Sequence, residues 1–174
     1  QPGGGVAPDG ARRERRGPEG GGSGVRTASE LTKAEPMLAI EWREGGCAID
    51  GYQSDITRTT VFGKASARQI EIWELEKKAQ AAAFAVVKPG TPCEAVDAAA
   101  RKVITDAGFG PDYKVPGLPH RTGHGIGLET HEEPYIVSGN TEVLEPGMAF
   151  SIEPGIYVAG SHGARIEDIV VCGE

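Results

Sequence analysis

A chain of 174 residues, 39% hydrophobic and 25% charged, is sized and composed for one globular domain with a core of its own. Its formal net charge of −7 argues against non-specific nucleic-acid binding, and no apolar run approaches the roughly 20 residues that span a bilayer. Cys47, Cys93 and Cys172 are odd in number and far apart, which excludes a disulfide framework or a C-x-x-C zinc site; with no export pattern at the N-terminus, they point to a reducing, cytoplasmic setting.

Residues 1–36 form a low-complexity segment rich in Gly, Arg and Pro, with Arg12-Arg13-Glu14-Arg15-Arg16 as a basic cluster and little to bury. They are expected to be a disordered, solvated tail. The start at Gln1 is read as a processed, fused or truncated terminus. The folded domain is expected over residues 37–174.

Met37-Leu38-Ala39-Ile40, the Asp50-Gly51 dipeptide and the β-branched stretch from Ile56 to Phe62 predict a β-hairpin. A two-residue turn at Asp50-Gly51 sets Asp55 opposite Gly46, and the pleat then puts Glu44 on the same face at the diagonal position. Glu41 has the opposite parity.

Ser66 and Gln69 resemble a capping box, and Ile70, Trp73, Ala81, Phe84 and Val87 supply an apolar stripe, so a helix is predicted over 66–88, ended by Pro89-Gly90. A second starts at Thr91-Pro92-Cys93-Glu94, with Pro92 as its first helical residue, and carries Val96, Ala100, Val103 and Ile104 to a stop at Gly108. Strands and turns follow from about residue 115. The expected fold class is α+β, with helices on one face of a mostly antiparallel sheet.

Glu153 and Glu167 flank Ala159-Gly160-Ser161, a natural turn midway between them, so an antiparallel return makes the two carboxylates cross-strand neighbours. Two like charges in a partly buried setting need a cation between them. His124, within Gly123-His124-Gly125-Ile126-Gly127, supplies a nitrogen donor, and the glycines would let the backbone approach a ligand and hold unusual torsions. Glu44, Asp55, Glu153 and Glu167 with neutral His124 match two divalent cations, of which Mn2+, Co2+, Fe2+ and Zn2+ suit an oxygen-rich set with one imidazole. Such ions lie ~3.5–4 Å apart and share a water whose lowered pKa yields an attacking hydroxide. His162 and Glu133 are read as surface groups, and Asp168 as a local hydrogen-bonding partner.

The ordered motifs Y-x-S-D-I-T-R-T from Tyr52, H-x-T-G-H-G-I-G-L from His120, H-E-x-P from His131, S-I-E-P-G from Ser151 and R-I-E-D from Arg165 resemble the pita-bread metallopeptidases. Among these, the chain is most similar to the Xaa-Pro peptidases, prolidase and aminopeptidase P. The resemblance covers about residues 37–174. It implies a pita-bread fold in which Asp55 and Glu167 bridge two metals, His124 and Glu153 complete one ion, and Glu44 completes the other. It further implies that His131 meets the scissile carbonyl or moves protons, that His120 lines the substrate pocket, and that Arg165 and Tyr157 orient ligands and substrate. Glu132 is the alternative proton carrier to His131. The implied reaction is hydrolysis of the bond preceding proline in a small peptide, with Mn2+ foremost among the metals.

Three departures from the family pattern stand out. Glu44 occupies a position where the family has Asp, the family's first half of the catalytic domain has no counterpart in residues 1–36, and the chain stops soon after Glu167. A partial domain is therefore expected, with an exposed sheet edge or apolar helix face suited to homodimer formation. The competing readings are a non-catalytic binding module or inactive fragment and, less favoured by the ligand set, a creatinase-like hydrolase of a C–N bond.

Overall fold

Asp50 and Gly51 both adopt positive φ, 53° and 90°, which is the mirror-image turn that an Asp-Gly pair favours between twisted strands. In the computed structural model, which describes residues 40–174, this turn closes a ribbon of β1 (Ile40–Gly45), β2 (Ala48–Ile49), β3 (Tyr52–Gln53) and β4 (Ile56–Val61). Ile49 pairs with Tyr52 and Gly45 with Ile56, one register throughout, so Asp55 falls opposite Gly46 and Glu44 opposite Thr57. The tail expected over 1–36, the run from Met37 to Ala39 and the side chains of residues 40–42 lie outside the described residues.

Helix α1 (Ala67–Val86) begins at Ser66, whose hydroxyl accepts from the Gln69 amide while the Gln69 side chain accepts from the Ser66 amide. Its buried face differs from the expected stripe. Ile72, Glu76, Ala79, Gln80 and Ala83 point inward, whereas Ile70 and Phe84 are exposed. Tertiary partners override the apolar pattern here: the Gln80 amide donates to the carbonyls of Ile152 and Ile166, at 3.2 and 3.4 Å, and to Asp168 Oδ2 at 3.0 Å. Such bonds make a buried amide tolerable.

Helix α2 spans Cys93–Asp106, and Pro92 is its cap rather than its first helical residue. With ψ at 142°, Pro92 is extended and bridges to Val143, so the helix starts one residue later than its proline suggests. Val96, Ala100 and Ile104 face the core as expected.

After α2 come β5 (Gly123–Gly125), β6 (Glu132–Ile136), β7 (Ala149–Ile152), β8 (Gly155–Val158), β9 (His162–Arg165) and β10 (Asp168–Val171). They form a four-stranded antiparallel sheet in the order β10-β7-β5-β6 and a β8-β9 hairpin. Both helices pack on these strands, and Phe150, Ile152 and Ile156 meet Ile72, Ala79 and Val96 in a fully buried core. Each such large apolar side chain contributes about 1.5–3 kcal/mol. No helix among the described residues is long and apolar enough to cross a membrane. The three cysteines are free.

The glycines around His124 serve a different purpose from the one expected. None of Gly123, Gly125 and Gly127 has a positive φ; instead, a β-carbon on Gly123 would collide with the Ser151 carbonyl, and one on Gly125 with the Glu133 carbonyl. Neighbouring backbone, not a ligand, occupies the space. Gly123→Ala is therefore expected to destabilise the chain by at least about 2 kcal/mol, read as a lower urea midpoint, and an unchanged midpoint would contradict this packing.

Candidate metal centre

The β8-β9 hairpin turns through Ala159-Gly160-Ser161, with Gly160 at φ 70°. Gly155 pairs with Arg165 on one side and Ile152 with Asp168 on the other, which sets Glu153 opposite Glu167 across the ribbon. Both are buried, as is His124 on β5. Ser151 locks two of them together: its hydroxyl accepts from the His124 amide at 3.0 Å and donates to Glu153 Oε1 at 3.2 Å. Thr57 fixes the third, since its carbonyl accepts from the Glu167 amide and its hydroxyl donates to Glu167 Oε2 at 2.5 Å. The ribbon carrying Asp55 is thereby stitched to the sheet.

A carbonyl only accepts, so the 3.0 Å contact between His124 Nδ1 and the Gly125 carbonyl puts the hydrogen on Nδ1. Nε2 then faces two carboxylates, Glu153 Oε1 at 3.1 Å and Glu167 Oε1 at 3.8 Å. A lone pair opposed to two anions is stable only with a proton or a metal ion between them. Burial by itself would depress His124, but the Glu153 and Gly125 contacts hold it above its ordinary value. Burial would likewise raise Glu153, and the same His124 bond keeps it low.

Glu167 shows the strain most clearly. Its Oε1 is buried without a hydrogen-bond partner, and burial together with the nearby Glu153 and Asp55 charges pushes its carboxyl up to about 7, against the pull of the Thr57 hydroxyl. His124, Glu153 and Glu167 offer ligand atoms within 4.8 Å of one another, and so do Asp55, His124 and His131. This oxygen-rich set with an orphaned carboxylate oxygen fits divalent cations.

All of these residues line a cavity of about 660 Å³, joined by Glu44, His120, Arg121, Tyr135, Val137 and Arg165. Glu44 stands in that wall but outside both ligand groups. It is 62% exposed, and its carboxylate accepts from Arg165 Nη2, which also reaches Thr57 Oγ1 at 3.2 Å. His120 donates from Nδ1 to the Arg121 carbonyl at 2.7 Å and accepts at Nε2 from the Tyr157 hydroxyl at 2.9 Å. Burial lowers His120 and raises Tyr157 to about 12, so a neutral imidazole meets a neutral phenol. His131 is exposed and sits edge-on to His124, with ring centroids 4.1 Å apart. Glu132 is not brought to this wall; its carboxylate covers Gly127 and accepts from the Glu129 amide.

The same stretch matches the model of metallopeptidase family M24 over residues 43–174. The chain belongs to this family. It is 55% identical over 130 residues to a probable dipeptidase PepE of Mycobacterium tuberculosis, covering 75% of this chain and 33% of that one. An Xaa-Pro dipeptidase of Lactobacillus helveticus is 52% identical over 128 residues, covering 74% and 33%. Among solved structures, the prolidase from Pyrococcus furiosus superposes with a TM-score of 0.70 at 42% identity, covering 75% of this chain and 37% of its own. The M24 chain therefore has the pita-bread fold of these prolidases over its described residues and spans about a third of the length of the relatives it matches.

Several residues of this M24 site have no role in the sequence reading, although Thr57 and Ser151 stand within its motifs. Thr57 lies two residues after Asp55, which immediately precedes β4, so the period of two already marks it. Ser151 stands two residues before Glu153 by the same logic. Arg101 leaves no such signal. Held by the buried Asp97 at 2.7 Å, it donates to the carbonyls of Asp112, Leu118 and His120, and so clamps the loop that delivers His120 to the cavity. Asp97 also accepts from the Thr122 hydroxyl at 2.7 Å. His162, expected in solvent, is half-buried, and Asp168 pairs with Arg58 at 2.5 Å.

Proposed function

We propose that this chain carries the metal-binding core of a dinuclear peptidase that hydrolyses the bond preceding proline in a small peptide. The observation that carries the reading is His124 Nε2 facing Glu153 and Glu167, with Asp55 and His131 completing a second group beside it. Likeness to proteins named Xaa-Pro dipeptidase and prolidase supports the substrate class. In this reading Asp55, His124, Glu153 and Glu167 hold the ions, Mn2+ foremost, and Glu44 joins them by turning from Arg165. Bound dications would supply Lewis acidity and a nucleophile at neutral pH.

The chain's own groups do the rest. The Tyr157 hydroxyl keeps the His120 ring oriented along one wall, Thr57 and Ser151 hold the carboxylates of Glu167 and Glu153, and Arg165 holds Glu44 at the rim. His131, the exposed imidazole of the cavity, is the group that meets the substrate carbonyl and moves a proton at its ring nitrogens. Glu132, committed to its own loop, is a poor candidate for that step.

Calorimetric titration with Mn2+ is expected to give stoichiometric uptake of two ions per chain, and the loaded protein is expected to cleave Ala-Pro in preference to Ala-Ala. Absence of uptake at neutral pH would overturn the reading. A second reading, a non-catalytic module on the same scaffold, draws support from the engagement of Glu44 by Arg165. Glu44→Asp separates the two: hydrolysis rises in the first and stays at background in the second.

A further inference from the structure

Glu153 and Glu167 lie opposite one another at an interruption in the strand pairing. The β10-β7 ladder ends at Ile152 and Asp168, and the β8-β9 ladder starts at Gly155 and Arg165. Pro154, which stands in the gap, has no N–H to give a neighbouring carbonyl. The carbonyls of Ile152 and Ile166 turn instead to one side chain, the Gln80 amide on the buried face of α1, at 3.2 and 3.4 Å. Asp168 Oδ2 accepts from the same nitrogen at 3.0 Å and is itself held by Arg58. All three neighbours are acceptors, which fixes the amide nitrogen on their side.

The two carbonyls belong to the peptide groups that lead into the glutamates. A peptide group is planar, so its carbonyl and its N–H turn together. In the Ile152-Glu153 group, Gln80 holds the carbonyl and the Thr122 carbonyl accepts from the N–H at 2.7 Å. In the Ile166-Glu167 group, Gln80 holds the carbonyl and the Thr57 carbonyl accepts from the N–H at 3.1 Å. Each plane is pinned at both edges, and its orientation sets where the following side chain leaves the backbone. Ser151 and Thr57 each bond one carboxylate, whereas Gln80 serves both glutamates at once.

We propose that Gln80 is a positioning residue of the metal centre: through a single amide it sets the spacing and aim of Glu153 and Glu167, which in the peptidase reading above hold the ions.

Gln80→Met keeps an unbranched side chain and loses the donors, Gln80→Lys keeps a donor, and Ala83→Gly lowers stability from the same buried face without removing any of these bonds. In the metal-free full chain, amide hydrogen exchange at Glu153 and Glu167 is compared with exchange at Cys172, whose N–H meets the Met148 carbonyl beyond the other end of the β7-β10 ladder. Gln80→Met is expected to speed exchange at the two glutamates by about ten-fold more than at Cys172, and to weaken Mn2+ uptake, read by calorimetry, by about 10–100-fold. Gln80→Lys should recover part of both effects. Ala83→Gly should speed exchange evenly and leave Mn2+ affinity as it was. If Gln80→Met does not fold, Gln80→Asn, whose amide stops one methylene short of the carbonyls, is expected to give the same pattern in milder form. An even change in exchange, or an Mn2+ affinity that stays at the wild-type value, overturns the proposal. If the wild type takes up no Mn2+, the metal reading fails, and exchange alone decides on Gln80: a selective rise at Glu153 and Glu167 keeps it as the residue that sets their spacing, and an even rise removes it.

Discussion

His124→Ala is expected to abolish stoichiometric Mn2+ uptake and to lower Xaa-Pro hydrolysis by well over about 100-fold, because loss even of a residue that merely supports a ligand costs about 10–100-fold in metal affinity or activity. Removing the ring takes away the nitrogen that faces both Glu153 and Glu167. The same site makes the metal-free protein sensitive to pH in a defined direction. Glu167 is raised to about 7 in the fold, above the ordinary Glu value near ~4.3. A raised carboxyl contributes stability that is complete below its unfolded value and is lost as pH climbs through its folded value. His124, also raised, acts in the same sense at higher pH, while the lowered Glu153 matters only in acid. The melting temperature in chelator should thus fall between pH 5 and pH 7.5, with Mn2+ reversing the fall and Glu167→Gln flattening it. A melting temperature that rises across this range in chelator would show that the carboxylates are not crowded as described.

Glu76→Met is the second large effect, and its sign is opposite to that of most core substitutions. Glu76 is fully buried on the inner face of α1, and neither of its oxygens has a hydrogen-bond partner. Burial pushes its carboxyl well above the usual range, and the proximity of the Ile166 amide and the Arg165 charge offsets this only in part. Methionine follows a similar unbranched path without the polar atoms. The substitution is expected to stabilise the chain by about 1–4 kcal/mol, the range seen when buried charged groups give way to apolar ones. Because the folded value is raised, Glu76 adds a loss of stability with rising pH that the variant lacks, so the gap between them should widen from pH 5 to pH 8. Chemical denaturation at both values measures it, and a Met variant weaker than wild type at pH 8 would mean that Glu76 has a partner that outweighs its burial.

Where a structural feature depends on neighbouring residues, the sequence reading and the structure agree closely. Asp50-Gly51 dictates a tight turn, the turn dictates register, and register puts Asp55 opposite Gly46. The turn at Gly160 does the same for Glu153 and Glu167. Ser66 and Gln69 announce the start of α1 through bonds that span three residues. The inner face of α1 departs from the apolar stripe because its buried positions include Glu76 and Gln80, and Gln80 is tolerated there through bonds to Ile152 and Ile166, 72 and 86 residues away. Pro92 caps α2 one residue outside it, extended and bridged to Val143, a partner that no local signal at Thr91-Pro92 reveals.

The sequence by itself determined the N-terminal hairpin, both turns, the existence of the two helices and the identity of acids and an imidazole that gather at the cavity, since the pleat, turn torsions and helix caps act over a few residues. Only the tertiary structure decided that Arg165 takes Glu44, that Thr57 and Ser151 hold the carboxylates, that Glu132 turns aside to its own loop, and that Arg121 is left stacked and unpaired among the described residues. The reason is physical. Which polar groups meet across the fold is set by burial and by the cost of leaving any of them unsatisfied, and that balance exists only once distant segments have packed.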